Sequence, residues 1–246
     1  MAAPVDSQVA AAAGDSDVPN LVVHHLNNSR SQRILWLLVL TRRYPVPILL
    51  HPPSSDRKNC RSQLKAVHPL GNAPVITDGE LTLAESGAIV EYIIQKYGHG
   101  RAQPPDSGRI DNLYFTHYAE ASLMPMLVNK LIFTIIPERS PFFLRPLLKG
   151  VFSTISAKML TPRLKTHAEM IENHLSKTSG FFAGGEEPTS ADYMMIFCLE
   201  TWAVRDGGLL GPKTKTYIDN IQSRPAYQRG LEKGGEYAYA KVQAKA

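Results

Sequence analysis

The sequence predicts an α/β domain built on a mixed β-sheet, followed by a domain made only of helices. Three observations lead there. From Leu21 to Tyr97, short β-rich runs alternate with helical periodicities. A linker follows over 99–107, with Pro104-Pro105 inside it. Beyond Gly108 the apolar spacing is helical and no segment reads as a strand. At 246 residues the chain has room for two such units.

Taken in order, residues 1–18 are rich in Ala, Ser, Asp and Gly and read as a disordered tail, with the first domain occupying 19–98. The run Leu21 to Leu26 is a strand, closed by the polar turn Asn27-Asn28-Ser29. A helix is expected from about Arg30 to Arg43, with Ser29 or Ser31 as N-cap. Val46 to Leu50 is a second strand, which Pro47 places at an edge or starts late. A short helix near Arg61–Val67 precedes two strands joined at Asp78-Gly79, a hairpin dipeptide. Ala84-Glu85-Ser86 opens an amphipathic helix with Ile89, Val90, Ile93 and Ile94 on one face. A βαβ unit followed by ββα is the thioredoxin-like order, a mixed sheet covered on both faces. In the second domain, 108–246, helices are expected near 108–136, 142–177, 190–204 and 213–223. A shorter one follows Pro225. Pro137 and Pro141 should separate the first two, and Pro162 should start or kink a segment.

Composition removes several function classes. Hydrophobic residues are 43% and charged residues 20%, enough for a core, so wholesale disorder is out. The formal charge of +5 suits anionic ligands or surfaces, but Lys and Arg are scattered singly, which argues against nucleic acid. Cys60 and Cys198 lie far apart in no metal-ligand spacing, so neither a disulfide scaffold nor a metal site is expected. A reducing, cytoplasmic compartment fits them. The N-terminal residues lack the basic and apolar regions of a signal peptide.

Three motifs carry chemistry. Ala73-Pro74-Val75-Ile76 puts an X-Pro bond directly before a strand. A cis Pro74 there would turn the backbone so that Val75 offers its N–H and C=O to a bound peptide; a trans proline would merely begin the strand. Glu85-Ser86-Gly87 places a carboxylate and a hydroxyl at a helix start. The helix end and Ser86 would take an amino acid's carboxylate and Glu85 its ammonium, although Ser86 as a plain N-cap is also open. Asn28-Ser29-Arg30-Ser31 sets hydroxyls and a cation at a strand-to-helix turn. A serine there would donate to a ligand thiolate, with the helix dipole and Arg30 adding positive potential. Lowering a thiol pKa by about two units needs roughly 2.7 kcal/mol, within reach of a charge-assisted hydrogen bond plus a helix end.

HPLGNAPVITDG followed by LTLAESGAIVEYI resembles the glutathione-site signature of the soluble glutathione transferases, over roughly residues 20–232. Thr189-Ser190-Ala191-Asp192-Tyr193 resembles that family's helix-capping motif, Thr189 capping and Asp192 locking the turn. NSRSQRILWLL and PFFLRPLLKGVF look most like a serine-type branch common in fungi and bacteria. The resemblance implies an enzyme that presents glutathione, its co-substrate, as a thiolate to a small hydrophobic electrophile or peroxide. A non-catalytic carrier or protein-docking module on the same fold is the alternative. By resemblance Ser29 activates the thiol, four residues before Arg33, with Arg30 and Ser31 as runners-up. Asn72, Ala73, Val75, Glu85 and Ser86 hold glutathione, and Arg57, Lys58 or His51 take its glycine carboxylate, because Gly71-Asn72 stand where many members have Lys or His. No cysteine occupies 28–31, so thiol-transferring classes are not the nearest relatives. A two-fold homodimer is also implied.

Leu123, Met124, Leu127 and Leu131 are expected to line the second-substrate pocket. Leu131 to Ile136 and Phe142-Phe143-Leu144, punctuated by Lys130, Arg139, Arg145 and Lys149, form an apolar stretch. It reads either as core and dimer interface or as a peripheral contact with an internal membrane surface.

Overall fold

The structure is a computed structural model and describes residues 20–38, 46–51 and 57–240, with the side chains of Arg57 and Lys58 outside that description. Four strands, β1 (Leu21–His25), β2 (Ile48–Leu50), β3 (Val75–Asp78) and β4 (Leu81–Ala84), form one sheet in the order β2-β1-β3-β4. β1 runs parallel to β2, with Val23 opposite Ile48, and antiparallel to β3, with Val23 opposite Ile76. The alternation of the sequence sets this register: Leu21, Val23 and Ile76 are fully buried. β2 begins just after Pro47, whose carbonyl accepts from Val23 N–H at 3.0 Å, so the missing proline donor costs the ladder nothing.

Helix α1 (Gln32–Leu37) is buried along its whole length, and the expected continuation through residues 39–43 lies outside the described residues. Ser31 is its N-cap position, but neither serine caps it as expected: the Ser31 hydroxyl turns back to His25 and Leu26 instead of to the helix. Helix α2 (Arg57–Val67) starts a turn earlier than the periodicity suggested, and α3 (Ser86–Tyr97) buries Ile89, Val90, Ile93 and Ile94 as one stripe.

The helical part opens with a tight turn at Asp106–Gly108 and continues through α4 (Arg109–Tyr118), a π-helical turn (Ala119–Leu123) and α5 (Met124–Arg139). Pro137 does not end this helix, contrary to expectation. It falls in the last turn, where a proline removes a single helical hydrogen bond, and the chain leaves helical geometry only at Ser140. Helix α6 (Arg145–Ile155) leads through another π-helical turn (Ser156–Leu160) into α7 (Thr161–Leu175), with Pro162 in its first turn, where a proline is tolerated. The axis of the molecule is α8 (Ser190–Asp206), buried continuously from Ser190 to Trp202 and packed against α1, α3 and α4. After α9 (Pro212–Ser223), α10 (Pro225–Gly234) returns to the first domain and lies on α1. Gly230 permits that approach, since a Cβ there would sit 3.0 Å from the Trp36 nitrogen.

One buried carboxylate ties these helices to the chain's end. Glu200, on α8, accepts hydrogen bonds from Gln222 Nε2 (2.8 Å), Tyr237 OH (2.7 Å) and Tyr227 OH. Burial outweighs those three donors and pushes its carboxyl up to about 7. The folded state therefore holds a proton that the unfolded chain releases near the ordinary carboxylate range, and stability falls as pH rises between the two values. Replacing Glu200 by Gln should abolish that fall. Urea midpoints at pH 5 and pH 8 test this: the wild type should lose about 3 kcal/mol more than the variant across that interval.

Candidate active site

Two adjoining cavities open where the sheet domain meets the helices. The first, of about 640 Å³, runs along the ends of β1 and β3 and the start of α3, with α2 on its far side. The second, of about 480 Å³, lies between the Asn28–Arg30 turn, α5, α8 and the chain's end. Arg30 and Ala73 line both, so they mark the junction.

In the first cavity, the Ala73–Pro74 peptide is cis, and Asn72, Ala73, Glu85 and Ser86 all reach the wall. Val75 does not. It is fully buried in the sheet, opposite His24 on one side and Ala84 on the other, which leaves Ala73 as the residue facing the cavity beside the proline. Glu85 sits at the N-cap of α3 with φ 73°, a left-handed conformation uncommon for a residue with a side chain. That backbone turn sets Glu85 and the helix's first N–H groups on the same wall. Gly71 also requires φ +62°, and a Cβ there would meet Lys65 Cγ at 2.7 Å, so glycine lets this loop close against α2.

Behind Ser86 stands a group the sequence reading used only as a landmark. Arg33 is fully buried; its guanidinium donates to Ser86 Oγ at 2.9 Å, to Cys198 Sγ at 3.2 Å and to Glu120 Oε1. Glu120 also accepts from Arg30 Nε at 2.8 Å. Burial alone would raise the Glu120 carboxyl, but Arg33 and Arg30 outweigh it and hold it below its ordinary range. Glu120 lies in the π-helical turn between α4 and α5, which aims it at the cavity. Arg30 is thus half of an ion pair rather than an uncommitted cation.

Ser29 lines the second cavity, next to the junction residues. Its Oγ donates to Leu26 C=O at 2.7 Å, accepts from Ser31 N–H at 3.2 Å and lies 2.7 Å from Ser31 Oγ. Ser31 is fully buried and reaches neither cavity, because its hydroxyl lies against His25 Nδ1 at 2.7 Å. His25 Nε2 is 3.0 Å from Gly234 C=O, which can only accept, so the ring's hydrogen is on Nε2 and Nδ1 is the acceptor. Burial holds the ring neutral, lowering its pKa to about 4. Ser31 therefore gives its hydrogen to His25, His25 gives its own to the end of α10, and the Ser29 hydrogen goes to Leu26 C=O.

His51 lines neither cavity. It is held at the sheet edge by His24 Nδ1 and Gln63 Oε1, each at 3.2 Å. The Arg57 and Lys58 side chains lie outside the described residues. Arg61, one helical turn after Arg57, lines the first cavity. Its i+4 spacing from Arg57 was the signal that could have found it.

The second cavity has Met124, Leu127 and Leu131 on its α5 wall. Leu123 is absent from it: the π-helical turn directs that side chain into the core, where it is fully buried. The opposite wall comes from Phe197, Trp202 and Arg205 of α8 and from Tyr239, none of which the sequence reading assigned to a pocket. Arg205 Nη2 donates to Tyr239 OH at 2.7 Å, and the rings of Phe197 and Tyr239 meet edge-on at 6.0 Å. Lys130, on the rim, is ion-paired with Asp206.

Thr189 and Asp192 stand outside both cavities, at the start of α8. Asp192 accepts from Thr189 N–H (2.9 Å), Thr189 Oγ1 (3.1 Å), Phe182 N–H (3.0 Å) and Tyr217 OH (2.9 Å). Among the described residues no group of three or more His, Cys, Asp or Glu is placed to hold a metal ion.

Residues 20–95 match the family model described as the glutathione S-transferase N-terminal domain. Over 219 residues the chain is 31% identical to glutathione S-transferase 3 of Schizosaccharomyces pombe, with 87% of each chain covered. Over 230 residues it is 29% identical to glutathione S-transferase 1 of Saccharomyces cerevisiae, covering 88% of this chain and 96% of that one. Among solved structures, a glutathione S-transferase from Xylella fastidiosa superposes with a TM-score of 0.69 at 16% identity, over 87% of this chain and 98% of that one. A glutathione transferase homologue from Lodderomyces elongisporus, which carries two glutathione molecules per subunit, superposes with a TM-score of 0.64 at 19% identity. That match covers 89% of this chain and 100% of the other.

Proposed function

The chain belongs to the glutathione S-transferase family, and from that premise we propose that it binds glutathione in the first cavity and delivers the thiolate to a hydrophobic electrophile in the second. The observation that carries this reading is the junction: Arg30 and Ala73 line both cavities, and the Ser29 hydroxyl lies beside them.

The γ-glutamyl carboxylate sits at the start of α3, taking the Ser86 hydroxyl and the helix N–H groups, with Arg33 behind Ser86 adding positive charge. Glu85 pairs with the ammonium group. Ala73 offers its backbone to the cysteinyl unit, the role first expected of Val75, and Arg61 takes the glycine carboxylate. The thiol then meets Ser29. Ser31 gives its hydrogen to His25, so its oxygen is left as an acceptor, and the Ser29 hydrogen is the one that can swing from Leu26 C=O to sulfur. The thiol proton leaves to water, the Ser29 hydrogen bond stabilises the thiolate, and sulfur attacks. With a chlorinated aromatic, the new S–C bond forms as C–Cl breaks and chloride departs. Holding both reactants at the junction supplies the proximity term.

A two-fold homodimer fits the exposed apolar residues Leu81 (38% exposed), Ile110 (75%), Leu113 (57%) and Tyr114 (51%) on β4 and α4, which pairs a sheet domain with its partner's helices. Cys60 and Cys198 are buried and not disulfide-bonded, which supports a reducing compartment, the cytoplasm.

Steady-state conjugation of glutathione to a chlorodinitrobenzene tests the reading. Turnover is expected in the wild type, and Ser86→Ala should raise KM for glutathione about tenfold with kcat nearly unchanged, the loss of one hydrogen bond to a charged group. Glutathione binding without any turnover would instead favour a carrier.

A further inference from the structure

The loop from α5 to α6 carries the largest apolar exposure among the described residues. Phe142 is 81% exposed, Phe143 68% and Leu147 65%, with Val151 at 45% one helical turn on. No residue of α6 is buried; it rests on α5 through Phe152, whose ring lies 5.4 Å from that of Phe133, and turns Leu147 and Val151 outward. This stretch is therefore not core. The loop is also shaped: Arg145 Nε donates to Ser140 C=O at 2.9 Å, Ser140 Oγ to Ile136 C=O at 2.7 Å and Leu144 N–H to Pro141 C=O at 2.9 Å. Those bonds present the two phenyl rings, edge to face at 5.7 Å, as a projecting wedge.

Charge selects the occupant. From Arg139 to Ala168 the chain has six Lys or Arg and no Asp or Glu, with Glu138 and Glu169 at its borders. Arg145 and Lys149, four apart on α6, are exposed beside Leu147 and Val151. A second copy pairing here about a two-fold axis would set like charges opposite one another. An anionic lipid surface meets both demands: aromatic rings settle at headgroup depth, and basic side chains face the acidic headgroups.

We propose that the Phe142–Phe143 wedge and the basic face of α6 seat this protein on an anionic membrane surface. No residue of the wedge or of α6 lines either cavity, so this surface leaves the active site open while bringing it near electrophiles and peroxides dissolved in lipid.

The test is cosedimentation of the full chain with vesicles of phosphatidylcholine alone and with about one third phosphatidylserine, at low and high salt. The wild type should pellet with the anionic vesicles at low salt and be released by salt. Phe142→Ser with Phe143→Ser should cut the bound fraction about tenfold, and Arg145→Glu with Lys149→Glu by at least as much, each basic residue contributing about fivefold. Both variants should keep the wild-type circular dichroism and conjugating activity, which excludes misfolding as the cause. Failure of the wild type to pellet with anionic vesicles would overturn the proposal. So would equal pelleting of the Phe variant, or a change in its sedimentation coefficient showing that the wedge joins two copies.

Discussion

Ser29→Ala should return the thiol of bound glutathione to near its solution pKa of about 8.5 while glutathione still binds. Thiolate absorbance followed against pH reads this directly. In the wild type, the expected depression of about two units corresponds to roughly 2.7 kcal/mol of preference for the anion. The Ser29 hydrogen bond should supply most of it, because Arg30 is already paired with Glu120. At neutral pH kcat for conjugation should fall about twentyfold, following the thiolate fraction. Ser31→Ala and His25→Leu touch neither cavity, yet each should lower the thiol pKa further, by a fraction of that amount. Ser31 Oγ, its own hydrogen given to His25, is an acceptor 2.7 Å from Ser29 Oγ that competes with sulfur for the Ser29 hydrogen, and without His25 the Ser31 hydrogen turns to Ser29 Oγ and strengthens it as a donor. If Ser29→Ala shifts the pKa and neither neighbour does, the hydroxyl acts alone. If Ser29→Ala shifts nothing, the thiolate is stabilised by another group.

Asp192→Ala should be the most destabilising single change, at about 3–5 kcal/mol. The carboxylate is fully buried, and four donors converge on it from three places in the chain: Phe182, Thr189 and Tyr217. Removing it orphans two backbone N–H groups and a phenol in the core and opens the capping box of α8, the helix against which α1, α3, α4 and α9 pack. Asp192→Asn keeps one acceptor oxygen for Phe182 and Tyr217 but turns a donor toward Thr189 N–H, so it should cost about 2 kcal/mol. Urea unfolding of the three proteins measures the ladder, and for Ala the melting temperature should drop by about 10 °C or more. Near-equal values for Ala and Asn would mean that the Thr189 bond carries the cost and the pair to Phe182 and Tyr217 carries little.

Much of the fold was legible because it rests on local rules. The Asp78-Gly79 turn, the stripe of Ile89, Val90, Ile93 and Ile94, and the Thr189–Asp192 box each involve residues no more than five apart, where backbone geometry alone fixes who meets whom. Pro137 was misread because a proline's effect depends on how many turns of helix follow it, and only one did. Leu123 was misread because a π-helical turn shifts the helical phase, and nothing in the apolar spacing announces one.

The residues of the active site divide along the same line. The sequence by itself determined the order of strands and helices, the proline beside the first cavity, the Glu85-Ser86 helix start and the serines at the α1 turn. Each is a short motif whose conformation is decided within a few residues. Only the tertiary structure decided that Arg33 stands behind Ser86, that Glu120 holds Arg30, that His25 bonds to Gly234 and that Tyr239 closes the second cavity. Those partners come from elements far apart in the chain. Where they meet is set by how α8 and α10 pack against α1, a matter of side-chain volumes and crossing angles that no local pattern records.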